Sequence, residues 1–203
     1  MIGELHEILC ALPSYDGFVR SETAASLVNL RVPDGYFLRV RTFNGYGIAD
    51  ARNKMAQEAV ESGSRYLLMV DSDIVIPNDG LAKLLRINSD AVATGYYPRS
   101  RGYGEETCAY PADGKPEYGD AYRISDLLKM DGVVPVKGNG LGFALMRTDI
   151  FKRLRKPWFK QRFDSKGIGL SEDMWFCKEC WEKGVKVMLH TDVRCGHVVS
   201  KIL

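Results

Sequence analysis

The chain of 203 residues has no excess of either charge: 28 Lys and Arg against 26 Asp and Glu leave a formal net charge of +2. That balance gives no basic footprint for nucleic acid, and no Lys/Arg run supplies one locally. No apolar stretch approaches the length of a membrane-spanning helix. The first residues, MIGELHEILCALPSY, have neither the basic n-region nor the cleavage site of a secretory signal. These absences predict a cytoplasmic protein with no transmembrane segment, and leave peripheral membrane contact open. Cysteine is sparse and odd in number (Cys10, Cys108, Cys177, Cys180 and Cys195), which suits reduced thiols better than a disulfide framework. Internal repeats and low-complexity tracts are also absent. What remains, 45% hydrophobic and 27% charged residues, is the composition of one globular domain with a full core.

The stretch RYLLMVDSDIVI, residues 65–76, organises the rest. Residues 66–70 form a short continuous apolar run, the pattern of a strand buried on both faces of a parallel sheet. The run stops at Asp71-Ser72-Asp73 and resumes at Ile74-Val75-Ile76 before Pro77. Two carboxylates at the end of a buried strand are costly to desolvate unless something positive meets them. A hard divalent cation that keeps open positions for phosphate oxygens would do so. Open α/β sheets also place ligands at the carboxyl ends of strands. The plain alternative is two solvated loop aspartates, one of them capping a helix after Pro77.

Around this stretch, strand and helix patterns alternate. Strands are expected at 7–12 (ended by Pro13-Ser14), 36–43 and 91–97, and helices from a Ser21 or Thr23 cap to about residue 30, at 48–61 and at 79–87. That order specifies a mostly parallel, Rossmann-like sheet flanked by helices. The second half is mixed. Short strands are expected at 107–110, 118–122, 133–136, 141–147 and 185–189. A short helix or turn falls at 125–130, with helices at 149–154 and at 171–183 under a Ser171 cap.

Several separated segments together resemble the A-type nucleotide-sugar glycosyltransferases, specifically the small soluble members of family 2. They are IADARNKMAQEA, LLMVDSDIVIP, AVATGYYPR, GNGLGFALMRTDIFKRL, PWF, GLSEDMWFCKECWEKGVKVML and VRCGHV, in that order and across about the whole chain. Each is weak alone; the ordered set is specific. The resemblance implies one domain with a nucleotide-sugar-binding half, residues 1–100, and a smaller mixed acceptor-binding and catalytic half, residues 101–203. It further implies a nucleotide-diphosphate sugar donor, UDP ahead of GDP, held over Mn²⁺ or Mg²⁺, with the sugar passing to a glycan or other hydroxyl acceptor. Asp73 would be the main metal ligand, Asp71 would reach the ribose or the metal, and His197 would add a nitrogen ligand that favours Mn²⁺.

The same resemblance makes Asp173 the general base, which gives inversion, and Glu172 an acceptor ligand. The plain reading of Glu172 and Asp173 is helix capping. Pro13, Ser14 and Tyr15 would seat the base, Arg52 and Asn53 would face the donor beside Ser72, and Arg99 (ahead of Arg101) would meet phosphate or acceptor. Gly138 to Gly142 would let backbone approach the sugar. Trp158 either lines the acceptor cleft or plugs the core. The loop at 98–106 and the C-terminal segment are expected to close on the donor.

Three other readings compete. Cys177, Cys180, Cys195 and His197 contain enough ligands for a structural zinc, although the first pair sits in a helical pattern among aromatics. A nucleotidyltransferase would need a basic, glycine-rich loop after the first strand, which ALPSYDGFVR does not supply. A catalytically inactive nucleotide- or glycan-binding protein remains compatible with so short a chain.

Overall fold

Along β1 (His6–Ser14) the side chains divide by alternation: Leu9 and Ala11 enter one core, Ile8, Cys10 and Leu12 the other. The computed structural model describes residues 5–87, 90–99, 105–114, 121–163 and 169–199. After β1 come α1 (Ser21–Val28), β2 (Tyr36–Asn44), α2 (Ile48–Glu61), β3 (Tyr66–Val70), β4 (Ile74–Val75), α3 (Gly80–Leu85) and β5 (Val92–Tyr96). Then follow β6 (Tyr110–Pro111), α4 (Ile124–Leu127), β7 (Val133–Gly138) and β8 (Phe143–Arg147), a 3-10 helix (Thr148–Lys152), and β9 (Arg162–Phe163) with β10 (Gly169–Leu170). The chain continues through α5 (Glu172–Glu182), β11 (Val187–Arg194) and β12 (Gly196–His197).

Eight strands form one sheet in the order β2-β1-β3-β8-β5-β11-β7-β6. The pairings make β2, β1, β3, β5, β11 and β6 run one way, and β8 and β7 the other. This is an α/β, Rossmann-like sheet with helices on both faces. Helices α2 and α5 contribute Met55, Ala59, Phe176 and Cys180 to one core; α3 contributes Leu81 and Leu84 to the other. Strand β3 is buried at all five residues, as its unbroken apolar run requires. Because β8 lies between β3 and β5, one sheet spans both halves of the chain.

Several local expectations change. Strand β1 continues through Pro13 and Ser14, which pair with Phe43 and Asn44 of β2. Pairing with β3 ends at Ala11, so Pro13 sits where β1 is open on one side and a missing N–H is tolerated. Neither Ser21 nor Thr23 caps α1: Arg20 is the N-cap residue, and Thr23 is fully buried inside the helix. The 3-10 helix replaces the helix expected at 149–154. Thr107 makes only an isolated bridge to Pro98. Most of the strand expected at 118–122, Arg101, and most of the loop at 98–106 lie outside the described residues.

Candidate active site

Because β2, β1 and β3 are parallel neighbours, Ser14, Asn44 and Val70 end on the same edge of the sheet. The segments leaving that edge enclose a cavity of about 230 Å³ lined by Pro13, Ser14, Tyr15, Tyr46, Ile48, Asp71, Ser72 and Asp73. Six of these eight are sequence candidates. Tyr46 and Ile48 were missed, although the Asn44-Gly45 turn at the end of a strand parallel to β1 was the available signal. Tyr15 is 79% exposed and stands free at the rim, as a ring that stacks on a planar base must. The Ser14 hydroxyl is committed: it donates to the carbonyl of Phe18 at 2.8 Å.

Beneath the cavity lies a buried ionic cluster. Arg52, from α2, is 2% exposed. Its Nη2 donates to both carboxylate oxygens of Asp71 (3.1 and 3.3 Å), its Nε to Glu172 (3.2 Å) and its Nη1 to the carbonyl of Leu141 (3.3 Å). Burial opposes the charge on Arg52, but Asp71 and Glu172 outweigh it and raise its pKa. One cation shared by two carboxylates leaves an excess negative charge out of water. Burial accordingly pushes the carboxyls of Asp71 and Glu172 up, with Arg52 pulling the other way.

This geometry corrects three expectations. Arg52 does not face a donor, because all three of its nitrogens are spent inside the protein. Glu172, 6% exposed and paired to Arg52, is turned inward and is no acceptor ligand. Asn53 ties α2 to the connector after the 3-10 helix: its amide donates to the carbonyl of Phe159 (2.6 Å) and its oxygen accepts from the Phe159 N–H (3.2 Å). Each is polar, and the polar atoms of each are engaged by protein partners.

Asp73, by contrast, keeps 42% of its side chain exposed. Strand β12 pairs antiparallel with β4 and sets His197 opposite Ile74. His197 Nδ1 then meets the carbonyl of Pro98 at 2.8 Å, and Nε2 lies 3.3 Å from Asp73 Oδ2. The ring packs edge-on to Tyr97, with centroids 5.6 Å apart. A carbonyl acceptor at Nδ1 places the proton there in the neutral ring and leaves the Nε2 lone pair facing Asp73. In the protonated ring Nε2–H donates to Asp73 instead, and this bond, ahead of the opposing effect of burial, raises the pKa of His197.

Among the described residues no three His, Cys, Asp or Glu side chains form a ready-made metal cage. Asp73 and His197 nevertheless converge, and two protein ligands plus substrate phosphate oxygens suit Mg²⁺ or Mn²⁺. Asp71 lines the same cavity while both its oxygens are held by Arg52.

Asp173, the second residue of α5, is partly exposed; its Oδ1 accepts from the Met174 N–H at 2.8 Å and from the Ser171 hydroxyl. Arg99 is 3.9 Å from Glu106, across the Pro98–Thr107 bridge, and is not among the cavity residues. The glycines serve packing: a Cβ on Gly142 would sit 2.9 Å from both Asp71 Oδ2 and the Tyr97 hydroxyl. Trp158, 5% exposed with its indole N–H on the Phe151 carbonyl, is a core plug. The zinc grouping does not assemble. Cys177 and Cys180 pack on one face of the sheet, and Cys195 on the other.

No protein-family profile matches the chain, and no curated protein does. Solved structures do. A197 from STIV aligns with 19% identity and a TM-score of 0.61 over 96% of this chain and 86% of that one. GalNAc-T7, solved with UDP, GalNAc and Mn²⁺, aligns with 14% identity and a TM-score of 0.62 over 96% of this chain; the match spans 43% of GalNAc-T7. At such identities the likeness is one of fold. No helix among the described residues is long and apolar enough to cross a membrane. The chain has a glycosyltransferase-like fold.

Proposed function

We propose that this chain is a metal-dependent glycosyltransferase that moves a sugar from a nucleotide-diphosphate donor to an acceptor hydroxyl. The observation that carries this reading is the pairing of exposed Asp73 with His197 Nε2 at the rim of a cavity lined by Pro13, Ser14, Tyr15 and Tyr46. The fold it shares with a structure containing UDP and Mn²⁺ supports uracil as the base and Mn²⁺ as the metal.

In this reading the base lies against Tyr15 and Tyr46, and Asp73 and His197 hold Mn²⁺ or Mg²⁺. The metal, when bound, neutralises the charge that develops on the departing diphosphate. Asp71, fixed by Arg52, borders the donor rather than moving with it. Asp173 takes the proton of the acceptor hydroxyl as that oxygen attacks the anomeric carbon, which inverts the centre. It sits in the first turn of α5, where the positive end of the helix attracts a carboxylate. Glu172 orients α5 through Arg52, and is a positioning residue. Arg99 meets the donor phosphates or the acceptor.

The test is thermal melting with UDP, GDP and their sugars, each with Mn²⁺ or EDTA. A ligand that binds only the native state raises the melting temperature with its concentration. One nucleotide should stabilise the protein in Mn²⁺ and not in EDTA, and the effect should vanish in Asp73→Ala. A shift unchanged by EDTA and by Asp73→Ala would overturn the assignment.

A further inference from the structure

The near-neutral charge of the whole chain conceals a basic strip. Residues 152–162, KRLRKPWFKQR, hold six cations (Lys152, Arg153, Arg155, Lys156, Lys160 and Arg162) and no carboxylate. With the chain at +2, those six positive charges leave everything else at −4. The reading that no local basic run exists is corrected here: the apolar residues Leu154, Trp158 and Phe159 interrupt the run in sequence but not in space.

Those three apolar side chains are buried, and they nail the strip to the core, so the charges between them point outward. Lys152, Arg153, Arg155, Lys156 and Arg162 are exposed and Lys160 is half-buried. Among the described residues none of the six has a carboxylate within ion-pair distance. Arg153 instead donates to the carbonyl of Lys183, and Lys156 to Gln57. Lys160, Arg162 and Lys178 crowd around one indole, lying 3.9, 5.8 and 5.8 Å from the centre of Trp175. Lys178 is also 4.0 Å from the Glu182 carboxylate, whereas Lys160 and Arg162 have the ring as their counterpart, and like charges held this close gain when an anionic surface approaches. Phe163 follows the strip directly and is 67% exposed.

We propose that this face, the connector at 152–162 with Lys178 and Phe163, docks the protein on an anionic phospholipid surface. Cations in a cluster of this size attract acidic headgroups, and a bare aromatic ring beside them can enter the interface. Single-stranded nucleic acid is the competing polyanion, and the indoles argue against it. Trp158 and Trp175 are 5% and 7% exposed, with Lys156 and Lys160 over their rings, so neither face is open to stack a base. The rest of the molecule, net negative, is repelled, which orients the strip toward the surface. This inference does not depend on the transferase reading, since no residue of the nucleotide cavity takes part.

The experiment is sedimentation of the full chain with vesicles of phosphatidylcholine alone or mixed with phosphatidylserine, at low and high salt. Binding should require the anionic lipid and weaken as salt screens the charges. Each basic residue contributes about fivefold in affinity near such a surface, so Lys152→Gln/Arg155→Gln/Arg162→Gln together should weaken binding about a hundredfold. All three are exposed, and an unchanged melting temperature confirms that the variant is folded. Phe163→Ser should weaken binding in a way that salt does not mimic. Failure to bind the mixed vesicles at low salt, equal binding by the triple variant, or displacement from vesicles by a single-stranded oligonucleotide would each overturn the proposal.

Discussion

Arg52 and Glu172 stand 120 positions apart and meet at 3.2 Å inside the protein, with the same guanidinium also gripping Asp71. This contact ties α2 and the start of α5 to the end of β3. Removing one partner of a buried ion pair leaves the other charge uncompensated, at a cost of about 3–5 kcal/mol. Arg52→Met should therefore destabilise the fold by that order in urea unfolding. Replacing both Arg52 and Glu172 with Met should cost less than the sum of the single changes, and strict additivity would show that the pair is not coupled.

Asp173→Asn isolates the chemistry from binding. Loss of a general base costs about 10²–10⁴-fold in rate. The variant should keep the metal-dependent melting shift given by the donor and lose transfer by that factor. Loss of the donor shift as well would place Asp173 in donor binding instead.

The thiols should be inert in the native state. Burial pushes Cys10, Cys108 and Cys177 up to about 12, and raises Cys180 and Cys195 as well. The thiolate is the reactive form, so an aromatic disulfide reagent at pH 8 should label none of the five until the protein unfolds. Rapid native labelling of Cys177 or Cys195, or retention of stoichiometric zinc, would contradict the two-face arrangement.

A pH dependence follows from Glu7. Burial raises its pKa, but the Ser64 hydroxyl and Arg39 together more than offset this, so the folded value lies below the ordinary 4.5. A depressed carboxylate pKa adds stability above the unfolded value, and that contribution is lost as pH falls through the folded value. Glu7→Gln should melt below the parent protein at pH 7, and the gap should close as the pH falls below the ordinary 4.5 and through the depressed folded value. A gap that stays constant would assign the difference to packing.

Much of the fold was legible because its signals are local. Helix α2 lies at 48–61 as its periodicity predicts, and β3 carries its apolar run at 66–70 with Asp71-Ser72-Asp73 directly after it. The same neighbours in sequence are neighbours in a helix turn or on a strand face, so spacing reports them. The family resemblance assigned Pro13, Ser14, Tyr15, Asp71, Ser72 and Asp73 to one donor site, and these six line one cavity because parallel strands bring their carboxyl ends to one edge.

Sequence alone thus determined the alternation of strands and helices, the buried β3, and the carboxylate pair that follows it. Tertiary structure decided the partners. It set β8 antiparallel between β3 and β5, put Cys177 and Cys195 on opposite faces of the sheet, turned Arg52 and Glu172 inward, and brought His197 to Asp73 across 124 positions. The physical reason is that a side chain's pattern reports whether it is buried. Which distant charge it meets there depends on strand order and register, and no local spacing encodes either.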